Sequence, residues 1–286
     1  MNVKFKNFGE IDNTAFDIKD ITFFTGKSVS KSYVMKFLYA YYEAVYLSVH
    51  DNTLLNPNYY SSYEKKFIYF FKNILQSIFE NLSQINNSFE VDIEDTKVVY
   101  NNSLTIENVD FINIYKPIFI QTPLILELQS FLPTEEFLTP YHISSLLQEL
   151  NRRDYSFISD EEDNFVNKIK KATSDIIGGN IFKEGREFLF ESKDGKKFNI
   201  ANTSSAVKSI GLLQYLVTNK NIKENSIIFW EEPEAHLQEE YQLKMVDLFI
   251  ELMRNGVKVT FTTNSSAIID YIKTKSDETV NRVSII

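Results

Sequence analysis

The run Ser226-Ile227-Ile228-Phe229-Trp230 constrains the fold more than any other stretch. Its side chains are mostly apolar and rich in β-branched and aromatic types. Such a run fits a short strand buried on both faces, as in a parallel sheet. Glu231 and Glu232 follow it, and Pro233 ends it. Proline lacks the N–H that a central strand must donate. The carboxyl end of a buried parallel strand is where open α/β sheets place ligands. Successive strand residues face opposite ways, so one acid of the pair can face a metal–phosphate complex while the other faces an attacking water. Phosphoryl transfer needs those two roles. A strand that simply ends in a solvated acidic turn accounts for the same residues.

A second element lies some two hundred residues upstream. Asp20-Ile21-Thr22-Phe23-Phe24-Thr25 reads as an apolar strand that stops at Gly26. Lys27-Ser28-Val29-Ser30-Lys31-Ser32 follows. Val34, Phe37, Leu38, Tyr41 and Val45 then recur at three and four, which predicts a buried or half-buried helix from Lys31 to about Val49. Strand, short loop ending in Lys-Ser and helix form the context in which backbone N–H groups cradle phosphate. There the lysine reaches the β- and γ-phosphates and the hydroxyl ligates Mg²⁺. Here the loop is one residue short, and Ser30 stands where the second glycine of the pattern belongs.

Between these elements, Val3, Phe5 and Phe8 alternate with polar residues, so 2–6 and 13–18 read as strands. Tyr59 to about Ile85 reads as a long helix whose aromatic stripe (Phe67, Phe70, Phe71, Phe79) is core. Residues 88–111 read as a hairpin or meander turning at Asn101-Asn102. Lys116–Pro123 reads as a buried strand with Gln121 at its end. Helices are expected over 124–131, 142–152 and 161–173, and a hairpin over 181–190 and 196–200. Small hydroxyl residues at 202–209 lead into a helix, where they serve as caps or as ligands for phosphate. A helix over 241–254, a strand over 257–263 ending at Asn264, a helix over 267–273 and a strand over 280–286 complete the chain.

Composition narrows the classes. At 286 residues, 43% hydrophobic and 24% charged, this is an ordinary globular chain. No apolar run reaches the about 18 residues of a membrane span, and the N-terminus has no secretory pattern. With no cysteine, disulfides and thiolate metal sites are excluded. The expected location is the cytoplasm. A net charge of −9 gives no overall pull towards nucleic acid. The basic clusters at Lys65-Lys66, Arg152-Arg153, Lys168–Lys171 and Lys196-Lys197 read as solvated faces.

In order, the chain shows strand, phosphate loop and helix; a strand-end glutamine; a serine-rich helix start; a strand followed by Glu231-Glu232-Pro233-Glu234-Ala235-His236-Leu237; and a strand followed by Thr262-Thr263-Asn264-Ser265. It resembles the ATP-binding-cassette (ABC) ATPase head, and more closely the predicted ATPases related to the overcoming-lysogenization-defect and RecF families. The resemblance implies an α/β P-loop NTPase fold: a mixed sheet core flanked by helices, with an antiparallel β portion and a helical subdomain. It also implies one head over 1–286, with 51–175 as an inserted lobe. ATP and Mg²⁺ are the implied cofactors. Gly26, Lys27, Ser28, Ser30, Lys31 and Ser32 would surround the phosphates. Ser32, Glu231 and Gln121 would serve the metal, and Glu232 would polarise water, with Gln121 and Asn264 assisting. Ser204 and Ser205 would belong to the signature motif that closes the site of a second copy, so a head-to-tail homodimer is implied.

Three departures from the family pattern point to weakened nucleotide chemistry. The loop is short, Ala206 replaces the signature glycine, and Asn264 stands at the switch histidine. An amide can donate to phosphate but cannot carry charge. The expected function is therefore an ATP-binding, slowly hydrolysing head that switches a separate partner, such as a nuclease or other effector, in DNA repair or defence. The alternative is a degenerate head that acts as a structural or interaction protein.

Overall fold

The computed structural model describes residues 1–26, 30–50, 62–109, 111, 114–129, 132, 139–152, 164–275, 279 and 281–286. Its strands fall into three sheets. The first is antiparallel, in the order β2-β1-β4-β5-β6, built from β1 (Asn2–Phe8), β2 (Ile11–Asp17), β4 (Ser88–Ile93), β5 (Thr96–Asn101) and β6 (Ser103–Glu107). The second is wholly parallel, in the order β13-β3-β12-β11-β7, from β3 (Ile21–Phe24), β7 (Lys116–Ile120), β11 (Ser226–Trp230), β12 (Lys258–Thr262) and β13 (Val283–Ile285). A small antiparallel sheet joins β8 (Gly179–Glu184), β9 (Glu187–Ser192) and β10 (Lys197–Asn199). Parallel and antiparallel strands thus both occur, as expected, but in separate sheets.

The helices are α1 (Ser30–His50), α2 (Tyr63–Phe79), α3 (Ile125–Leu128), α4 (Tyr141–Asn151), α5 (Asn164–Ile177), α6 (Ser205–Thr218), α7 (Glu239–Arg254) and α8 (Ser266–Lys273). Among the described residues no helix is long and apolar enough to cross a membrane. The helix expected over 124–131 is only four residues long in its described part. Residues 181–190, read as one strand, are two, because Gly185 turns the chain at φ 63°.

Strict alternation on the parallel sheet divides the core. Ile227 and Phe229 of β11, with Phe24 and Phe119, pack on the α1 side. Ile228 and Trp230, with Phe23, Ile118, Ile120, Val259 and Phe261, pack on the side covered by α4 to α8. Helix α1 is buried on almost every side, since it lies between the parallel sheet and the inner face of the antiparallel sheet (Val3, Phe5, Phe8, Phe89, Val91, Val98). Within the segment 51–175, expected as an inserted lobe, β4–β6 extend β1 and β7 is the edge strand beside β11. Edge strands offer unpaired backbone groups, and the buried face of β1 continues directly into Phe89, Val91 and Ile93.

Phe37 of α1 is fully buried, with ring centroids 5.9, 5.3, 5.4 and 6.2 Å from Phe5, Phe8, Phe71 and Phe89. It therefore joins α1 to β1, β4 and α2 at once. Phe37→Ala should lower stability by about 3–5 kcal/mol, the cost of an aromatic cavity, seen as a lower urea midpoint. A loss under about 1 kcal/mol would mean that this aromatic cluster does not hold α1.

Candidate functional site

Register decides where the site forms. Trp230 lies opposite Ile120 of β7 and Phe261 of β12, and Thr262 lies opposite Phe24 of β3. The C-terminal ends of four adjacent strands are thus level. The residues that follow them, Gln121, Glu231, Asn264 and Gly26, emerge along one rim. A cavity of about 540 Å³ opens there, lined by Gly26, Lys31, Ser32, Gln121, Glu231, Glu232, Thr262 and Asn264 among others. That volume is in the range of small-molecule sites.

Side chains distant in sequence meet across this cavity. Ser32 donates its hydroxyl hydrogen bond to Glu231 Oε1. Lys31 Nζ donates to Asn264 Oδ1 at 2.9 Å, and Asn264 Nδ2 donates to Glu232 Oε1 at 2.8 Å. One amide thus spans the lysine and the second acid. The acids are held from below: Glu231 N–H donates to Ile120 O at 2.9 Å, and Glu232 N–H to Thr262 Oγ1 at 3.0 Å. Glu232 has φ 43° and precedes Pro233. A left-handed backbone is uncommon for a non-glycine residue, and a following proline normally pushes its neighbour to extended values. Such local strain is retained where the surroundings impose it. Here it turns consecutive acids to different partners.

Burial raises the pKa of Glu231 above the usual carboxylate value, against the opposing pull of Lys36 and of the Ser32 hydrogen bond, and the neighbouring Glu232 charge raises it further. Lys36 lies four residues beyond Ser32, on the same face of α1. A desolvated carboxylate beside a hydroxyl is the oxygen pair that suits a hard cation such as Mg²⁺. The residues present therefore fit one. Among the described residues no group of three or more His, Cys, Asp or Glu side chains could hold a metal. A cation here would complete its shell with phosphate oxygens and water, as Mg²⁺ commonly does.

The remaining expected residues divide. Gln121 lines the cavity, and its Oε1 lies 3.2 Å from His142 Nε2, which carries the proton in that contact. His142 is buried against the edge of Phe119, and Nδ1 has no partner among the described residues. Ser30 is buried and does not line the cavity. Its Oγ accepts from Glu10 N–H at 2.8 Å, so it ties α1 to the β1–β2 turn. Its side chain thus faces the β1–β2 turn and not the cavity. Gly9 sits at that turn with φ 62°, where an added Cβ would meet Ser30 Oγ at 2.6 Å. Ser204 caps α6 by accepting from Val207 N–H at 3.3 Å, and neither it nor Ser205 lines the cavity. Lys27 and Ser28 lie outside the described residues.

Sequence reasoning missed His142, Lys36 and Glu234. Lys36 could have been found from its helical spacing. A lone histidine on an amphipathic helix carries no such signal.

No protein-family model matches this sequence, and no curated protein matches it either. Among solved structures, the chain is similar to the SMC head domain from Thermotoga maritima (10% identity, 94% of this chain and 90% of that one, TM-score 0.47). It is also similar to an Smc head domain from Pyrococcus furiosus bound to the C-terminal domain of ScpA (12%, 94% and 90%, 0.49). A bacterial ABC transporter cassette solved as a dimer is similar too (12%, 94% and 90%, 0.43).

Burial, and secondarily the charge of Lys36, pushes the His142 imidazole from 6.5 down to about 3. The unfolded chain therefore takes up a proton that the folded chain refuses between those values. Stability is unaffected by His142 above about pH 6.5 and falls as pH drops towards 3. Relative to His142→Asn, the wild type should lose about 2 kcal/mol between pH 7 and pH 5, read from urea midpoints. Equal pH slopes in the two proteins would contradict a buried neutral histidine.

Proposed function

We propose that this chain is an ABC-type ATPase head that binds Mg-ATP in the cavity at the ends of β3, β7, β11 and β12. The observation that carries this reading is the side-chain circuit around that cavity: Ser32 to Glu231, and Lys31 through Asn264 to Glu232. Lys31 would bind the β- and γ-phosphate oxygens. Ser32 and Glu231 would hold Mg²⁺, which supplies charge neutralisation at the phosphates. Glu232 would orient the attacking water and receive its proton, with Gln121 beside it. Asn264 would leave its bridge and donate Nδ2 hydrogen to the terminal phosphate.

Hydrolysis in this reading is slow. Asn264 carries no charge, and loss of one electrostatic stabiliser commonly costs about 10²–10³ in rate. Ser204 and Ser205 stand away from the cavity of their own chain, which supports a head-to-tail dimer in which each copy closes the other's site. The solved relatives include a dimeric cassette and a head bound to a partner protein. By the family resemblance, the dimer would switch a separate effector in genome maintenance or defence.

A second reading, a head that no longer turns over nucleotide and serves as an interaction protein, is favoured by one feature. Asn264 satisfies both Lys31 and Glu232 from one amide, so the circuit closes among the chain's own side chains.

Calorimetry with Mg-ATP and steady-state turnover separate the two. Wild type should bind nucleotide, Lys31→Ala should bind it at least about tenfold more weakly, and Glu232→Gln should bind normally while turning over about 100-fold more slowly. Equal turnover in wild type and Glu232→Gln would remove the assigned role of Glu232. No binding heat at millimolar nucleotide would overturn the first reading and favour the second.

A further inference from the structure

Glu234 is the third acid of the turn after β11, and the roles above leave it unused. It is only 9% exposed. Its Oε1 accepts from Thr263 Oγ1 at 2.6 Å and from the Asn264 backbone N–H at 2.9 Å. Its Oε2 is buried with no hydrogen-bond partner among the described residues. Glu234 forms no salt bridge with any described residue. A carboxylate taken out of water without a cation is destabilising unless its hydrogen bonds compensate. Both bonds it makes run to one place, the two residues that leave β12.

That place controls the cavity. The Asn264 backbone held by Glu234 carries the side chain that spans Lys31 and Glu232. Thr263 Oγ1, which donates to Glu234, also accepts from Ser265 N–H at 3.1 Å, and Ser265 Oγ donates to Gln242 Oε1 at 2.6 Å. The turn from Thr263 to Ser265 is therefore fixed from the Glu234 side on one flank and from α7 on the other. Glu231 and Glu232 line the cavity; Glu234 does not.

We propose that Glu234 is a positioning residue: by binding Thr263 Oγ1 and the Asn264 amide it holds the Asn264 side chain between Lys31 and Glu232. Its effect on turnover rests on the ATPase reading; its effect on the bridge does not.

The test uses the full chain in two arms. Without nucleotide, the Asn264 side-chain amide resonance, assigned by its loss in Asn264→Ala, reports the bridge. Glu234→Ala should shift that resonance, and so should Glu234→Asp, which keeps the charge but withdraws the carboxylate. Glu234→Gln retains an acceptor oxygen at Oε1 and should leave it in place. With Mg-ATP, Glu234→Ala and Asn264→Ala should lower turnover by the same factor within about twofold, and the double variant no further, because the two act as a unit. Glu234→Gln should stay within about twofold of wild type. Should Glu234→Ala fail to fold, Glu234→Asp decides the first arm. An Asn264 resonance unmoved in the folded variants, or multiplicative losses in the double variant, would overturn the proposal. Absence of turnover in wild type would count against the ATPase reading alone and leave the first arm to decide.

Discussion

The burial of α1 between two sheets is the constraint on which the rest of the molecule depends. A helix exposed along one face can shift or rotate by small amounts at little cost. Helix α1 has no such freedom, because Phe37, Tyr39 and Tyr41 project from it in different directions and each is buried. Phe37 packs against Phe5, Phe8 and Phe89 of the antiparallel sheet. Tyr39 meets Phe119 and Phe229 of the parallel sheet, and Tyr41 meets Phe67 and Phe71 of α2. Close packing on every side fixes both rotation and translation. The N-terminal turn of this helix carries Lys31 and Ser32, so their placement over β11 and β12 follows from aromatic packing about 8 to 15 Å away along the helix axis.

The other half of the site is set by hydrogen-bond register rather than by packing. Parallel pairing brings the ends of β7, β11, β12 and β3 level. A slip of one residue in β11 would exchange the faces of Ile227 and Ile228 and turn Glu231 away from Ser32. With all five β11 side chains buried, such a slip would also drive Trp230 into the packing that now holds smaller neighbours on the opposite face. The left-handed backbone at Glu232 adds a final adjustment, turning the second acid to Asn264 while the first remains with Ser32.

These features differed in how far they were legible in the sequence. The strand Ser226–Trp230 and its acids could be read because burial on two faces leaves an uninterrupted apolar run and proline marks its end. Helix α1 could be read because the spacing of Val34, Phe37, Leu38 and Tyr41 survives burial. The orientation of Ser30 was not legible for a physical reason: a hydroxyl beside a lysine at a helix start suits phosphate, but where it points depends on Gly9 and Glu10, which only the β1–β2 turn brings near. The pairing of β4 with β1 was not legible either, since it is a contact between residues some ninety positions apart. The turn at Gly185 was legible but passed over: Lys183-Glu184-Gly185-Arg186-Glu187 interrupts the apolar residues on either side with a charged, glycine-centred run, which is a turn signal. The contact of His142 with Gln121 depends on α4 packing against β7, and periodicity carries no information about that.

The chemistry of position 264 follows from what lies on each side of it. A lysine needs an acceptor and a carboxylate needs a donor, and a primary amide offers both from a single group. Direct pairing of Lys31 with Glu232 would draw the two charges together and narrow the space that a triphosphate would need. The intervening amide keeps them apart while satisfying each. A neutral imidazole could span the same gap in one tautomer only, and once protonated it would have no acceptor left for Lys31. Asparagine at this position therefore gives a bridge that persists across the pH range in which a histidine would lose it. The same neutrality removes a positive charge from the side of the cavity where a terminal phosphate would lie. One neutral amide thus satisfies both charged groups, and to a terminal phosphate it would offer a hydrogen bond but no positive charge.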